Sequence, residues 1–492
     1  MAPWNIPPEV SEIAATLRSA AYEAYLVGGC VRDLVRGVAP KDWDVATNAP
    51  PDAIQQLFPE SIYENAFGTV GVKTGSEDMA VRIVEVTTYR IEGKYTDARH
   101  PDEVRFAKTI EEDLSRRDFT VNAVALRADA STVEDAQDVV DPFGGMDDLH
   151  DRILRAVGDP AERFREDALR LMRAVRLATE LDFQIEPHTL AAIQNEAGLL
   201  ERVSKERIRD ELVKLLITPR AAAGIELLET TGLLQYVIPE LREGIGCGQN
   251  KHHIYTVFEH NVKSLDYAAG KNYSLLVRMA SLLHDVGKPR VKGGDGPDST
   301  FYNHEVVGGR MALKILDRLH FPKDFTENVA HLVRQHLFYY NVGEVTPTGV
   351  RRFLRRVGPE HIDDLFQVRE ADRIGSGVPK AVPYKLRHLR FMLDKVKADP
   401  ISPKMLAIKG EDVMRVLQIE PSPLIGQILA ILLEEVIEDP TRNTLEHLEK
   451  RAQDLAALSD VERSVLVQKA RTRKEEYESG VEAEMKRKHH VQ

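Results

Sequence analysis

Residues 25–47 read YLVGGCVRDLVRGVAPKDWDVAT. A short apolar strand runs into Gly28-Gly29, a helix starts near Cys30, and a second strand follows at WDVAT. Residues i and i+2 of a strand point to one face. Asp42 and Asp44 are therefore expected to project together, with Trp43 on the other side. Two such carboxylates cost desolvation energy unless something positive sits between them. Paired carboxylates suit Mg²⁺, which prefers oxygen ligands and keeps several waters. The Gly-Gly turn lets a phosphate approach the backbone, and the new helix offers free N–H groups. Arg32 is placed to hold a phosphate oxygen, with Asp33 as its structural partner. A lone D-x-D reads as a solvated strand end. Gly-Gly, then Arg-Asp, then D-x-D within sixteen residues reads as a nucleotide site.

Outward from this stretch, TVGVKT (69–74) and RIVEVTTY (82–89) alternate apolar and polar residues as strands do. AVAL (123–126) and a segment at 133–139 are expected to complete the sheet. From about residue 160 the period becomes 3.6. In EDALRLMRAVRLATEL (166–181), Leu169, Met172, Ala174, Val175 and Ala178 form a stripe for burial. Helical segments continue nearly to the end. GIGCGQNKHH (244–253) and ADPISPK (398–404) have turn chemistry suited to boundaries, and GGDGPDST (293–300) is a loop. No tandem repeat is evident. The last twenty residues mix both charges and read as frayed helix or tail.

The length, 492 residues, suits three or four domains. The net charge of −12 argues against a protein that coats nucleic acid non-specifically, though it allows a local basic groove. SRRDFT (115–120) and RFREDALRLMRAVR (163–176) supply one. Cys30 and Cys247 are the only cysteines, which excludes a cysteine-built zinc site and argues against a disulfide framework. MAPWNIPPEV lacks the basic and apolar regions of a signal peptide. No run of about 18 apolar residues occurs to span a membrane. The expectation is a soluble, cytoplasmic protein.

Two more clusters border the first. In EEDLSRRDFTVNA (111–123), Arg117 and Asp118 flank a buried-looking apolar run, while Arg116 reads as a surface residue. In REDALRLMRAVR (165–176), Asp167 and Arg170 stand at i and i+3 and are expected to share a helix face, with Arg173 and Arg176 continuing the row.

Together LVGGCVRD…KDWDVAT, RRDFTVNA, DPFGGMDDLHDRILR (141–155) and REDALRLMRAVR resemble, in order and spacing, the motifs of class II tRNA nucleotidyltransferases and bacterial poly(A) polymerases. The resemblance covers roughly residues 24–183. It implies an α+β chain: a polymerase-β-like nucleotidyltransferase head (1–150), then an all-α neck (151–245), an HD-like body (246–398) and a tail (399–492). It implies untemplated addition of C or A nucleotides to a tRNA 3′ end from CTP and ATP, with pyrophosphate leaving. Asp42 and Asp44 would bind Mg²⁺, and Glu85 is the candidate third carboxylate. Gly29 and Arg32 would hold the triphosphate, and Arg117, Arg173 and Arg176 fall on nucleotide-contacting positions. Asp167 and Arg170 match the pair that reads the base. Their chemistry fits: cytosine and adenine each present an amino donor beside a ring-nitrogen acceptor, which the acid and the arginine complement. Uracil and guanine present a carbonyl and an N–H instead and clash with both. YRIEGKYTDARHPDEVRF (89–106) looks like the flexible loop associated with the terminal A, which enzymes adding only CC have shortened. CCA addition and A addition both fit.

LLHDVGKP (282–289) places His284 beside Asp285, with His260 upstream and His304, His336 and Asp372 downstream. This order resembles the HD phosphohydrolase superfamily. Histidine and carboxylate ligands suit a transition metal such as Mn²⁺, Ni²⁺ or Fe²⁺. Related bodies also keep the fold as a scaffold for tRNA. The alternatives to tRNA addition are a poly(A) polymerase, an HD phosphohydrolase whose head only binds nucleotide, and an RNA-binding scaffold.

Overall fold

Asp44–Thr47 is β2 of a seven-stranded sheet, with β1 at Tyr25–Val27, β3 at Ser61–Tyr63, β4 at Thr69–Lys73 and β5 at Ile83–Thr88. The computed structural model describes residues 4–63, 68–92, 104–128, 139–249, 254–342, 345–377, 380–396 and 402–468. The strand order is β3-β4-β5-β2-β1, then Ala125–Arg127 and Val139–Val140. The β2/β5 pair is parallel and its neighbours are antiparallel. A mixed sheet succeeded by helices is the α+β architecture expected of a nucleotidyltransferase head and helical domains after it.

Alternation along β5 works as the sequence suggests. Val84, Val86 and Thr88 are buried, while Glu85 points out. One face of the sheet packs Val45, Val70, Val84 and Val86 against Val10, Ile13, Ala14 and Leu17 of the helix Pro8–Ser19, with Trp43 in the same core. The other face packs Ala46 and Ala125 with Tyr89, Ile110 and Leu114. Trp43 thus lies opposite Asp44, as expected.

Two local readings need correction. The strand begins at Asp44, so Asp42 lies in a bend ahead of it rather than in a strand pair. In AVAL the strand begins only at Ala125, because Thr120–Asn122 forms a 3₁₀ turn. Of the segment expected at 133–139, residues 133–138 lie outside the described residues and Val139 pairs with Leu126. Within 89–106, Arg90–Glu92 and Val104–Phe106 form an antiparallel pair, and 93–103 lie outside the described residues.

The described chain divides into two compact units, residues 1–242 with 315–321, and 243–314 with 322–492. In the first, the helix Leu169–Leu181 is buried on nearly every side, well beyond the five-residue stripe. Arg176 on it is 8% exposed and is held by Glu211 Oε2 and Glu180 Oε2, each at 2.6 Å. The nucleotide-contacting role drawn from resemblance is therefore not the one this geometry gives Arg176; it ties the helix to Lys205–Leu216. Removing one partner of such a pair leaves a buried charge under-compensated. Glu211→Ala is expected to cost about 2–3 kcal/mol in urea unfolding, since Glu180 keeps part of the pairing.

In the second unit, the helix Val257–Gly270 packs against Ile362–Gly375 and Leu275–Leu283. Residues between Leu406 and Leu455 gather around a core of their own. No described helix is long and apolar enough to cross a membrane.

Candidate active site

β1 delivers the chain to Gly28, whose φ of 77° lies in the left-handed region. A Cβ there would sit 3.0 Å from Arg117 Nη1 and 3.2 Å from Asp44 Oδ2. A side chain would therefore be both strained and in the way. At Gly29 a Cβ would meet only Arg32 Nη2, at an ordinary 3.6 Å. Gly28, not Gly29, is the glycine this geometry demands. Arg32 is already clamped: Nε and Nη2 donate to Asp33 at 2.9 and 3.1 Å, and Nη1 donates to Asn122 Oδ1 at 3.0 Å.

The parallel register sets Asp44 beside Glu85. Burial, then Glu85, push the Asp44 carboxyl up to about 7; Arg117 opposes this and Asp42 adds to it. Asp42 itself is exposed. Hard oxygen donors, one of them held back from ionising by its neighbours, fit a divalent cation such as Mg²⁺. Arg117 donates to Asp113 Oδ2 at 3.3 Å, and Arg116 donates to Asp113 Oδ1 at 2.8 Å. Arg116 is thus pinned to a buried acid and is no surface residue.

Asp167 and Arg170 do not share one helix. The helix Pro160–Glu166 ends before Asp167, which is extended, and the next helix starts at Leu169. The break has a local cause. Asp167 Oδ1 accepts from the N–H of Leu169 at 3.1 Å, capping the second helix in competition with continuing the first. Its Oδ2 accepts from Arg207 at 2.7 Å. Arg170 donates to Glu166 at 2.6 Å, to the Arg163 carbonyl at 3.2 Å and to the Arg116 carbonyl at 3.1 Å. Arg173 grips Asp118 through two bonds of 2.8 and 2.6 Å. Burial raises the Asp118 carboxyl, but Arg173 and Arg170 hold it well below the usual carboxylate range.

In the second unit all six HD-order residues converge. His260 Nε2 lies 2.9 Å from His284 Nε2 and 3.1 Å from Asp285 Oδ2. Asp372 Oδ1 lies 3.3 Å from His260 Nε2. On the other side, Asp285 Oδ1 faces His304 at 3.3 Å and His336 at 3.6 Å. His284, His304 and His336 each point Nδ1 at the carbonyl three residues back, at 2.6–2.8 Å. A carbonyl only accepts, so each Nδ1 carries hydrogen, and in the neutral form of each ring Nε2 is the lone pair a metal would take, displacing a proton where the ring is charged. That donor set fits a metal, with two groups able to hold one: His260, His284, Asp285, and Asp285, His304, His336. Gly287 keeps the cluster tight, since a Cβ there would lie 2.4 Å from the His304 carbonyl oxygen. Burial lowers His284, but Asp285 and Asp372 outweigh it and bring it to about 10.

Residues 24–155 match the poly(A) polymerase head domain, and 182–245 match a region described as a probable RNA and SrmB-binding site of polymerase A. Residues 307–452 match tRNA nucleotidyltransferase domain 2. Over 427 residues the chain is 36% identical to an A-adding tRNA nucleotidyltransferase of Deinococcus radiodurans, covering 84% of this chain and 91% of the relative. The chain belongs to the tRNA nucleotidyltransferase family. It is also 32% identical to a CCA-adding enzyme of Enterococcus faecalis, covering 90% and 96% of the two chains. Its fold resembles the Bacillus stearothermophilus CCA-adding enzyme in complex with CTP, with a TM-score of 0.66 at 28% identity, covering 96% of this chain and all of that one.

Several residues of this tRNA nucleotidyltransferase were not singled out by sequence reasoning. Arg207 holds Asp167 from 40 positions away, and Asn122 links Arg32 to Asp118, whose Oδ1 it approaches at 3.2 Å. Lys288 donates to Asp285 Oδ2 at 2.6 Å and to Gln249 at 2.7 Å. Lys288 stands one helical turn after Asp285, a spacing that could have flagged it. Arg207 reaches Asp167 across 40 positions and Asn122 reaches Arg32 across 90, gaps that no periodicity encodes.

Proposed function

We propose that this chain adds nucleotides to the 3′ end of tRNA without a template: C and A, or A alone onto tRNA ending in CC. The observation that carries the reading is the pairing of Asp44 with Glu85 beside Arg117 and Gly28, in a chain of this family. Asp42 and Asp44 would hold Mg²⁺, which lowers the pKa of the 3′-hydroxyl and neutralises charge on the α-phosphate. The 3′-oxygen then forms a bond to the α-phosphorus, the α–β bridging bond breaks, and pyrophosphate leaves. Glu85 would take the hydroxyl proton. Arg32 and Arg117 meet the triphosphate, and Gly28 leaves room for it. Most of the rate comes from positioning and electrostatics.

Asp167 accepts from the base amino group and Arg170 donates to the ring nitrogen. Arg207 and Glu166 hold these two side chains at 2.7 and 2.6 Å, so neither reorganises freely for a wrong base. The tRNA substrate puts this work in the cytoplasm.

The test supplies CTP and ATP with tRNA lacking CCA, with tRNA ending in CC, and with a generic RNA. Extension of tRNA only is the expected result. Long A tails on the generic RNA would point to a poly(A) polymerase instead.

A second reading concerns the body. The convergence of His260, His284, Asp285, His304, His336 and Asp372 supports a transition-metal site, which would supply Lewis-acid chemistry for phosphoester hydrolysis. His284→Ala is expected to lose transition metal relative to the parent by elemental analysis of purified protein. Equal content in the two proteins would end this reading.

A further inference from the structure

Asp113 is a buried carboxylate that the transfer step does not itself use. It is 1% exposed and sits on the short helix Ile110–Ser115, which opens with a capping box between Thr109 and Glu112. Its position puts Arg116 and Arg117, three and four residues on, beside it. Oδ1 accepts from Arg116 Nε at 3.0 Å and Nη2 at 2.8 Å, and also from the backbone N–H of Arg90 at 3.3 Å. Oδ2 accepts from Arg117 Nη2 at 3.3 Å. Burial would raise this carboxyl, but Arg116 and Arg117 outweigh it and keep it below the usual range. The carboxylate is thus ionised and fully engaged.

Each of its partners leads to a different part of the reaction. Arg117 reaches the Asp44 side of the sheet: its Nη1 and Asp44 Oδ2 both border the space a Cβ at Gly28 would fill, and its charge draws the Asp44 carboxyl down. Arg116 offers its backbone carbonyl to Arg170 Nη2 at 3.1 Å, so the arm holding Arg116 also steadies the base-selecting arginine. Arg90 opens the strand pair Arg90–Glu92 and Val104–Phe106. Without a negative charge between them, two neighbouring guanidiniums would repel and splay.

We infer that Asp113 is a positioning residue that ties the transfer carboxylates to the base-selecting arginine, so that one buried acid sets both rate and nucleotide choice. This rests on the function proposed above. Asp113 is buried behind its arginine partners and acts through Arg117 on one side and Arg116 on the other. Hydrogen bonds to a charged group of this kind are strong enough that releasing them changes rates by roughly 10- to 100-fold.

The test is Asp113→Asn. The carboxamide keeps an acceptor for the Arg90 N–H but carries no charge to hold two guanidiniums. The expected result is a kcat lower by roughly 10- to 100-fold, and a tRNA KM within about twofold of the parent. The ratio of kcat/KM for the better of CTP and ATP over that for UTP is expected to fall about tenfold. A merely structural role would lower the active fraction, which cancels in that ratio. An unchanged ratio therefore overturns the inference whatever kcat does. Should Asp113→Asn not fold, Arg116→Gln removes one arm only, and the same fall in the ratio is expected; a parental ratio there overturns the inference too. A parent protein that extends no tRNA overturns the underlying function, and the inference with it, before any variant is made.

Discussion

Asp44→Asn abolishes nucleotide transfer, lowering kcat by at least about 10³-fold, while making the metal-free protein more stable above pH 7. The two effects share a cause. Burial and Glu85 raise the folded-state pKa of Asp44 to about 7, above the ordinary carboxylate value. A raised carboxylate favours the fold while protonated, and that contribution is lost as pH climbs from 3.8, where the unfolded chain ionises, to about 7, where the loss is complete. Asparagine removes the cost of ionisation and with it the site for a cation. The parent is expected to gain melting temperature on adding Mg²⁺ at pH 8, and the variant to gain little. Thermal melts with and without Mg²⁺ at pH 6 and pH 8, beside initial rates of tRNA extension, check both halves. A variant that keeps parental transfer would show that Asp44 is not the metal-binding acid.

Asp167→Asn relaxes the choice of base. The carboxylate accepts only, while a carboxamide both donates and accepts, so a rotated amide can meet the carbonyl of uracil. Sites built to hydrogen-bond one edge owe large discrimination to it, and its loss is expected to cut selectivity for C and A over U by roughly 10²-fold or more. Arg207→Ala tests the same element from behind. Arg207 donates to Asp167 Oδ2 at 2.7 Å, and without it the acid keeps its charge but loses its aim. The expected fall is smaller than for Asp167→Asn and in the same direction. Competition between CTP or ATP and UTP, read as incorporated nucleotide at limiting enzyme, measures both.

The head was readable because its information is local. Period-two alternation in RIVEVTTY put Glu85 on the outward face, and the register then set it beside Asp44. The His–Asp cluster was readable for a different reason: chemically distinctive residues came in a telling order, although they are spread over five helices or helix ends, His284 and Asp285 sharing one. What escaped was contextual. Gly28 and Gly29 look alike in sequence, and only the backbone turn shows which one faces Asp44 and Arg117. The helical period runs smoothly through Asp167, yet its side chain caps the following helix and breaks the run. Arg170, Arg173 and Arg176 read as one row, but steps of three drift around a helix of 3.6 residues per turn, and the third arginine ends in a buried pair with Glu211. Arg116 looked exposed because nothing in its neighbourhood announces that Asp113 is buried beneath it.

In the mechanism proposed, the head carboxylates and the Asp167–Arg170 pair together make a tRNA-specific, base-selective transfer site. Its most direct test gives the parent protein a tRNA ending in CC, all four nucleoside triphosphates and Mg²⁺, and sequences the extended 3′ ends. A single added A is the expected result. Unextended tRNA, frequent U or G at that position, or a long A tail would contradict it.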